Sequence, residues 1–168
     1  ATERPSAVSG LALLGPFVRQ QKANAVMTLA LKALFAGPWR VRAWAAYHAT
    51  LFKSAKPADY GDYSAALRRN LAEPGRFEAL KGLMFRSDEA IEERLTKVKA
   101  PAVVVMGSAD PDFSDPEREA SQVAELLGAR YVMIAGVGHY PQAEAPQATL
   151  DAVLPALRTA FGDAAPRG

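Results

Sequence analysis

The amino-acid sequence predicts an α/β fold: three parallel strands with flanking helices, carrying a long all-helical insertion. Three observations lead there. Residues 102–107 read Ala-Val-Val-Val-Met-Gly, a β-branched run without polar alternation, as expected of a strand covered on both faces. An amphipathic helix pattern and a second apolar run, residues 130–135, follow it, and strand–helix–strand order implies parallel pairing with a right-handed crossover. In front of them, residues 19–99 carry helical patterns with no strand pattern between.

In chain order, residues 4–6 read as the tail of a helix and its connection into the first strand. Residues 8–16 then form a short apolar run closed by Gly15-Pro16, the mark of a buried strand bounded by a turn. Residues 24–35 are rich in Ala and Leu and are stopped by Gly37-Pro38. Pro38 suits the first turn of a second helix reaching Phe52, because its missing N–H is not needed there. Lys56-Pro57 breaks that helix. A third helix spans 58–72 up to Glu73-Pro74-Gly75, and a fourth spans 76–85. Ser87 is a candidate cap for a fifth helix running to about Lys97, with acids in its first turn. After the strand at 102–107 comes a helix at 116–127, stopped by Gly128, then the strand at 130–135. A last helix runs from 144 to 161 with Pro155 inside it, where a kink is expected. The division that follows is strand region 1–18, helical region 19–99, second core region 100–162 and tail 163–168.

Composition limits the alternatives. The chain has 168 residues, 49% of them hydrophobic and 23% charged, within the range of folded globular domains. It has no cysteine, which excludes disulfides, thiolate metal sites and a cysteine nucleophile, and suits a cytoplasmic setting. No apolar run reaches the ~18 residues of a membrane span, and residues 1–5 have no signal-peptide character. The net charge of +2 conceals +7 in residues 1–100 and −5 in residues 101–168. The basic residues are spaced helically, mixed with acids and not interleaved with aromatic platforms. They read as solvated helix faces, so neither a nucleic-acid nor a membrane partner is predicted.

Chemistry is expected just beyond the carboxyl ends of the parallel strands. Residues 107–113 offer carboxylates at Asp110 and Asp112. Residues 136–141 offer His139, preceded by Gly136 and Gly138. Neighbouring strands lie about 5 Å apart, so Asp110 and His139 can meet. A carboxylate accepting from imidazole Nδ1–H fixes the tautomer, leaves the other nitrogen outward as a base and stabilises the imidazolium. The glycines suit a tight turn and close approach to a ligand. Asp112 and Asp115 are alternative caps for the next helix. No metal or other cofactor is predicted: Asp-Pro-Asp does not match a calcium loop, and one histidine is thin for zinc. His48, among Trp44, Tyr47 and Phe52, reads as a packed or surface histidine. Phe17, directly after the first strand, and Tyr140, beside His139, are candidate substrate-binding residues in an apolar pocket.

These segments resemble the α/β-hydrolase family. Gly107-Ser108-Ala109-Asp110 is similar to the family's Gly-x-x-Asp turn, and residues 136–146 are similar to its Gly-x-Gly-His…Glu-x-Pro segment. The resemblance implies the C-terminal part of the fold: the sixth strand, a helical cap, then the seventh and eighth strands. It implies Asp110 as triad acid and His139 as triad base, acting on an apolar small-molecule ester. The family's nucleophile elbow, its oxyanion-hole segment and its first five strands have no counterpart in these residues. No serine here stands in a Gly-x-Ser-x-Gly elbow. The expectation is a chain inactive alone, partnered by a second chain that carries strands one to five and the nucleophile, or a homodimer through the open edge of the first strand. The alternatives are a non-catalytic receptor or binding protein of this fold, or a haloperoxidase-like or acyl-transfer member.

Overall fold

The computed structural model describes residues 1–18, 25–84 and 90–161, with side chains from Leu29 in the first helix and from Ile91 in the fifth. After a 3-10 turn at Pro5–Ala7 the elements are β1 (Leu11–Leu14), α1 (Ala25–Leu34), α2 (Arg40–Thr50), α3 (Tyr60–Ala72), α4 (Arg76–Met84) and α5 (Ala90–Leu95). Then come β2 (Ala102–Gly107), α6 (Pro116–Leu127), β3 (Arg130–Ile134), α7 (Pro141–Glu144) and α8 (Pro146–Phe161). The candidate cap Ser87 and the tail 163–168 lie outside the described residues. Among the described residues, no helix is long and apolar enough to cross a membrane.

The strands form one parallel sheet in the order β1-β2-β3. Leu11 aligns with Ala102 and Leu14 with Val105; Val103 aligns with Arg130 and Gly107 with Ile134. Because side chains alternate along a strand, β2 serves two layers. Val104 and Met106 pack with Val123, Ala124 and Leu127 of α6, whereas Val103 and Val105 pack with Val137 and with Ala152 of α8. All four of these β2 residues are fully buried, as a strand covered on both faces requires. The outer strands are less covered than their apolar runs predict. Ala12 of β1 is exposed, and β3 is exposed at Arg130 and Tyr131 and buried only at Ile134. Each has one paired edge among the described residues, so only the central strand is enclosed all round.

Local signals set the ends of α6. The Asp115 carboxylate accepts from the Arg118 N–H at 2.9 Å, Pro116 occupies the first turn, and Gly128 closes the helix in the left-handed region at φ 60°. Asp115 is therefore the cap, and Asp112 is left for other contacts. The last helix divides differently from expectation: α7 ends at Glu144, and α8 begins with Pro146 and keeps Pro155 inside it.

The chain resolves into two compact units. One is Ala1–Arg19, Leu51–Ala55 and Glu89–Gly168; the other is Gln20–Thr50 and Lys56–Asp88. The helical unit has its own core, where Phe35, Leu71 and Phe77 are buried against Leu67, Leu80 and Trp44. Two stretches fall on the sheet side of this division although they lie inside the helical region of the sequence. One is α5 with the residues after it, where Leu95 and Val98 pack on the α6 layer. The other is the strap Leu51–Ala55.

Candidate active site

The acid loop leaves β2 at Gly107 and the histidine loop leaves β3 at Ile134, adjacent strands ending at the same level. Backbone bonds fasten the loops together: Ser108 N–H donates to Ile134 O at 2.9 Å, Ala109 N–H to Val137 O at 2.9 Å, and Gly136 N–H to the Ser108 hydroxyl at 2.9 Å. Asp110 and His139 are thereby brought face to face. His139 Nδ1 lies 2.8 Å from Asp110 Oδ2, with the Asp110 side chain fully buried and the imidazole 12% exposed. The other Asp110 oxygen accepts from the Asp112 N–H at 3.0 Å. A second carboxylate, Asp112 Oδ2, stands 3.7 Å from Nδ1.

Electrostatics at the imidazole run two ways. Burial pulls its pKa down, because desolvation disfavours the charged ring. The hydrogen bond and charge of Asp110, with the charge of Asp112, more than reverse this and leave the net value above 6.5. In the neutral ring Nδ1–H donates to Asp110 and Nε2 carries the free lone pair. Among the described residues Nε2 has no hydrogen-bond partner. The geometry is that of an oriented base with a buried counter-charge. Ligand atoms of Asp110, Asp112 and His139 lie within 4.8 Å of one another, close enough to consider a cation. The 2.8 Å Nδ1–Oδ2 spacing is that of a hydrogen bond.

Aromatic rings flank His139. The Phe17 ring is 5.1 Å from that of His139 and 5.0 Å from Phe113, and Phe17 remains 57% exposed. Tyr140 lies 5.0 Å from His139 and 5.1 Å from Phe52. Phe17 and Tyr140 thus stand where the sequence placed candidate binding residues. Phe113 was not foreseen; its place just after the acid loop was the available signal. Glu144 was also missed as more than a motif position. Its Oε1 accepts from the Gly138 N–H at 2.9 Å, and its Oε2 from the Lys53 and Ser54 N–H groups at 2.8 and 2.7 Å and the Ser54 hydroxyl at 2.9 Å. Gly138 also answers to a different neighbour from the ligand expected for it: a Cβ there would overlap the Leu51 carbonyl oxygen. A cleft of about 340 Å³ in the helical unit, beside Gly37 and Arg40, includes neither Asp110 nor His139.

No protein-family model and no curated protein matches the sequence. Solved structures are similar in fold. A 2-hydroxy-6-oxo-6-phenylhexa-2,4-dienoate hydrolase from Rhodococcus sp. superposes with a TM-score of 0.68 at 18% identity, over 95% of this chain and 57% of that one. An esterase from another Rhodococcus sp. gives 0.65 at 22% identity, over 90% and 56%. A bromoperoxidase from Bacillus anthracis gives 0.69 at 13% identity, over 89% and 58%. The chain spans somewhat more than half the length of each. Parallel order, the intervening helices and these superpositions agree: the chain has the α/β-hydrolase fold, in its C-terminal part.

Proposed function

We propose that this chain supplies the acid and base of a serine-type α/β-hydrolase acting on a carboxylic ester or related small molecule with an apolar portion. The observation that carries the reading is the 2.8 Å contact between the buried Asp110 carboxylate and His139 Nδ1, at the carboxyl ends of adjacent parallel strands. The fold shared with an esterase and a dienoate hydrolase supports it.

In the proposed cycle the nucleophile is a serine on a polypeptide segment outside this sequence. Nε2 of His139 takes the hydroxyl proton as the serine oxygen attacks the ester carbonyl. Asp110 holds the imidazolium, with Asp112 adding negative potential. The imidazolium then gives the proton to the leaving alkoxide, releasing alcohol and leaving an acyl-serine. Water, deprotonated by the same nitrogen, attacks the acyl carbon. Proton return to the serine oxygen releases the acid and restores the serine. Phe17 and Tyr140 border the apolar portion of the substrate. The partner segment carries the remaining strands and pairs along the free edge of β1, whose partner on its other side is β2.

The test compares the purified chain with its native assembly. The chain alone is expected to leave p-nitrophenyl esters intact and take no fluorophosphonate label. The assembly is expected to hydrolyse them, with the label on a second polypeptide and turnover abolished by His139→Ala. Hydrolysis by the chain alone would overturn the placing of the nucleophile. An assembly indifferent to His139→Ala would overturn the catalytic role.

A further inference from the structure

We infer that Glu144 is a positioning residue for His139: it clamps the remote strap Leu51–Ala55 onto the histidine loop, and the strap in turn holds the His139 backbone. The inference rests on His139 being the base of the proposed reaction, and it assigns a task to residues that reaction does not use.

The hydrogen bonds form a closed ring. Glu144 Oε2 accepts from the consecutive N–H groups of Lys53 and Ser54 and from the Ser54 hydroxyl. From that anchored strap the Leu51 carbonyl accepts the His139 N–H at 2.9 Å. The preceding N–H, that of Gly138, returns to Glu144 through Oε1. Two successive amides of the histidine loop are thus held, one by the carboxylate and one by the segment the carboxylate holds. The need for the clamp comes from the loop itself. Gly136 and Gly138 give the backbone on the N-terminal side of the imidazole more freedom than any other residue would, and that freedom must be removed for Nδ1 to stay on Asp110. Gly138 is fixed as glycine by the same arrangement, since the strap carbonyl and Glu144 Oε1 occupy the space of a side chain.

Ionisation is part of the device. Burial raises the Glu144 pKa, but the donors from Ser54, Lys53 and Gly138 bring it below 4.5 overall, so the residue is a carboxylate at neutral pH. Four donors face two oxygens that only accept. A glutamine of the same shape would turn an N–H₂ group toward one set of donors and undo that half of the ring.

The experiment is NMR on the 168-residue chain, comparing wild type with Glu144→Gln and Ser54→Ala. Amide exchange is read at Lys53, Ser54, Gly138 and His139, and imidazole ¹⁵N shifts at both histidines, His48 serving as internal control. In Glu144→Gln, exchange is expected to quicken about tenfold or more at all four amides. The His139 amide is included although it bonds to Leu51. The His139 Nδ1–H signature is expected to broaden while that of His48 stays unchanged. Ser54→Ala is expected to shift the same signals in the same direction by less. If Glu144→Gln does not fold, Ser54→Ala decides. Acceleration confined to Lys53, Ser54 and Gly138, with the His139 amide and ring as in wild type, would overturn the positioning role. None of these readouts uses turnover, so they can fail while the Asp110–His139 pair still catalyses, and hold where no activity is found.

Discussion

The chain's two histidines make an instructive pair. His48, on α2, is 4% exposed, sits 3.3 Å from the Tyr60 hydroxyl through Nδ1 and stacks on that ring at 6.0 Å. His139 is almost as well covered and also engages an oxygen through Nδ1. The partner oxygen is what differs. Burial, then the neighbouring Tyr63, push the Tyr60 phenol above its ordinary pKa, so it is uncharged wherever imidazole titrates. It cannot compensate an imidazolium. Asp110 can, and Asp112 stands behind it. Burial alone disfavours the charged ring; at His139 the neighbouring carboxylates outweigh it.

The sharpest way to break this contrast is to remove each ring in turn. In the proposed assembly, His139→Ala is expected to lower kcat/KM by about 10⁴-fold or more. His48→Ala is expected to leave kcat/KM essentially unchanged and instead to lower unfolding free energy by about 1–3 kcal/mol in urea titrations. Equal losses of activity would end the distinction.

The next test exchanges the charge and keeps the shape. Asp110→Asn is expected to reduce kcat about 10³–10⁴-fold and to lower the His139 pKa seen by ¹⁵N NMR. Because the wild-type value is raised, the imidazolium's contribution to stability is fully present below pH 6.5 and lost as pH rises through the folded value. The rate changes the opposite way, rising with pH as the neutral base forms. In Asp110→Asn the stability window closes, and the residual rate rises at lower pH than in wild type. An unmoved profile would show that Asp110 does not govern the base.

Glu144 carries a smaller, acid-side effect. Its depressed pKa gives stability that is present above pH 4.5 and lost as pH falls through the folded value. Glu144→Gln should cost about 2 kcal/mol near neutrality, with the gap from wild type narrowing in urea titrations at progressively lower pH. The smallest effect belongs to Phe17→Ala, expected to raise KM about threefold to tenfold for apolar esters with little change in kcat. A change confined to kcat would place Phe17 with the base rather than with the substrate.

What could be read from the sequence followed the range of the interactions concerned. Ala102–Gly107 and Pro116–Leu127 were legible to the residue, because a β-branched run, the Asp115 cap and the Gly128 stop are all local. Asp110 and His139 were legible as a pair because adjacent parallel strands deliver their loops to the same place. The strap was not. Lys53 and Glu144 are 91 positions apart, and nothing in the local pattern of residues 51–55 separates them from the helices on either side. Phe113 escaped for the same reason: its ring partner Phe17 precedes the entire helical region. The exposure of β1 and β3 was hidden too, since an apolar run indicates affinity for a core and not how many neighbours a strand has.

The register of the sheet bears on the order in which it can assemble. β2 and β3 are joined by a single helix, whereas β1 must find β2 across the whole helical insertion. Closing the longer connection costs about 1 kcal/mol more in chain entropy, and its contacts are of much higher order. The β2–α6–β3 unit, with the fully buried Val103–Met106 stretch at its centre, is therefore the natural folding nucleus. β1 docks late: truncating Val104 should slow folding, while truncating Leu13 should mainly speed unfolding.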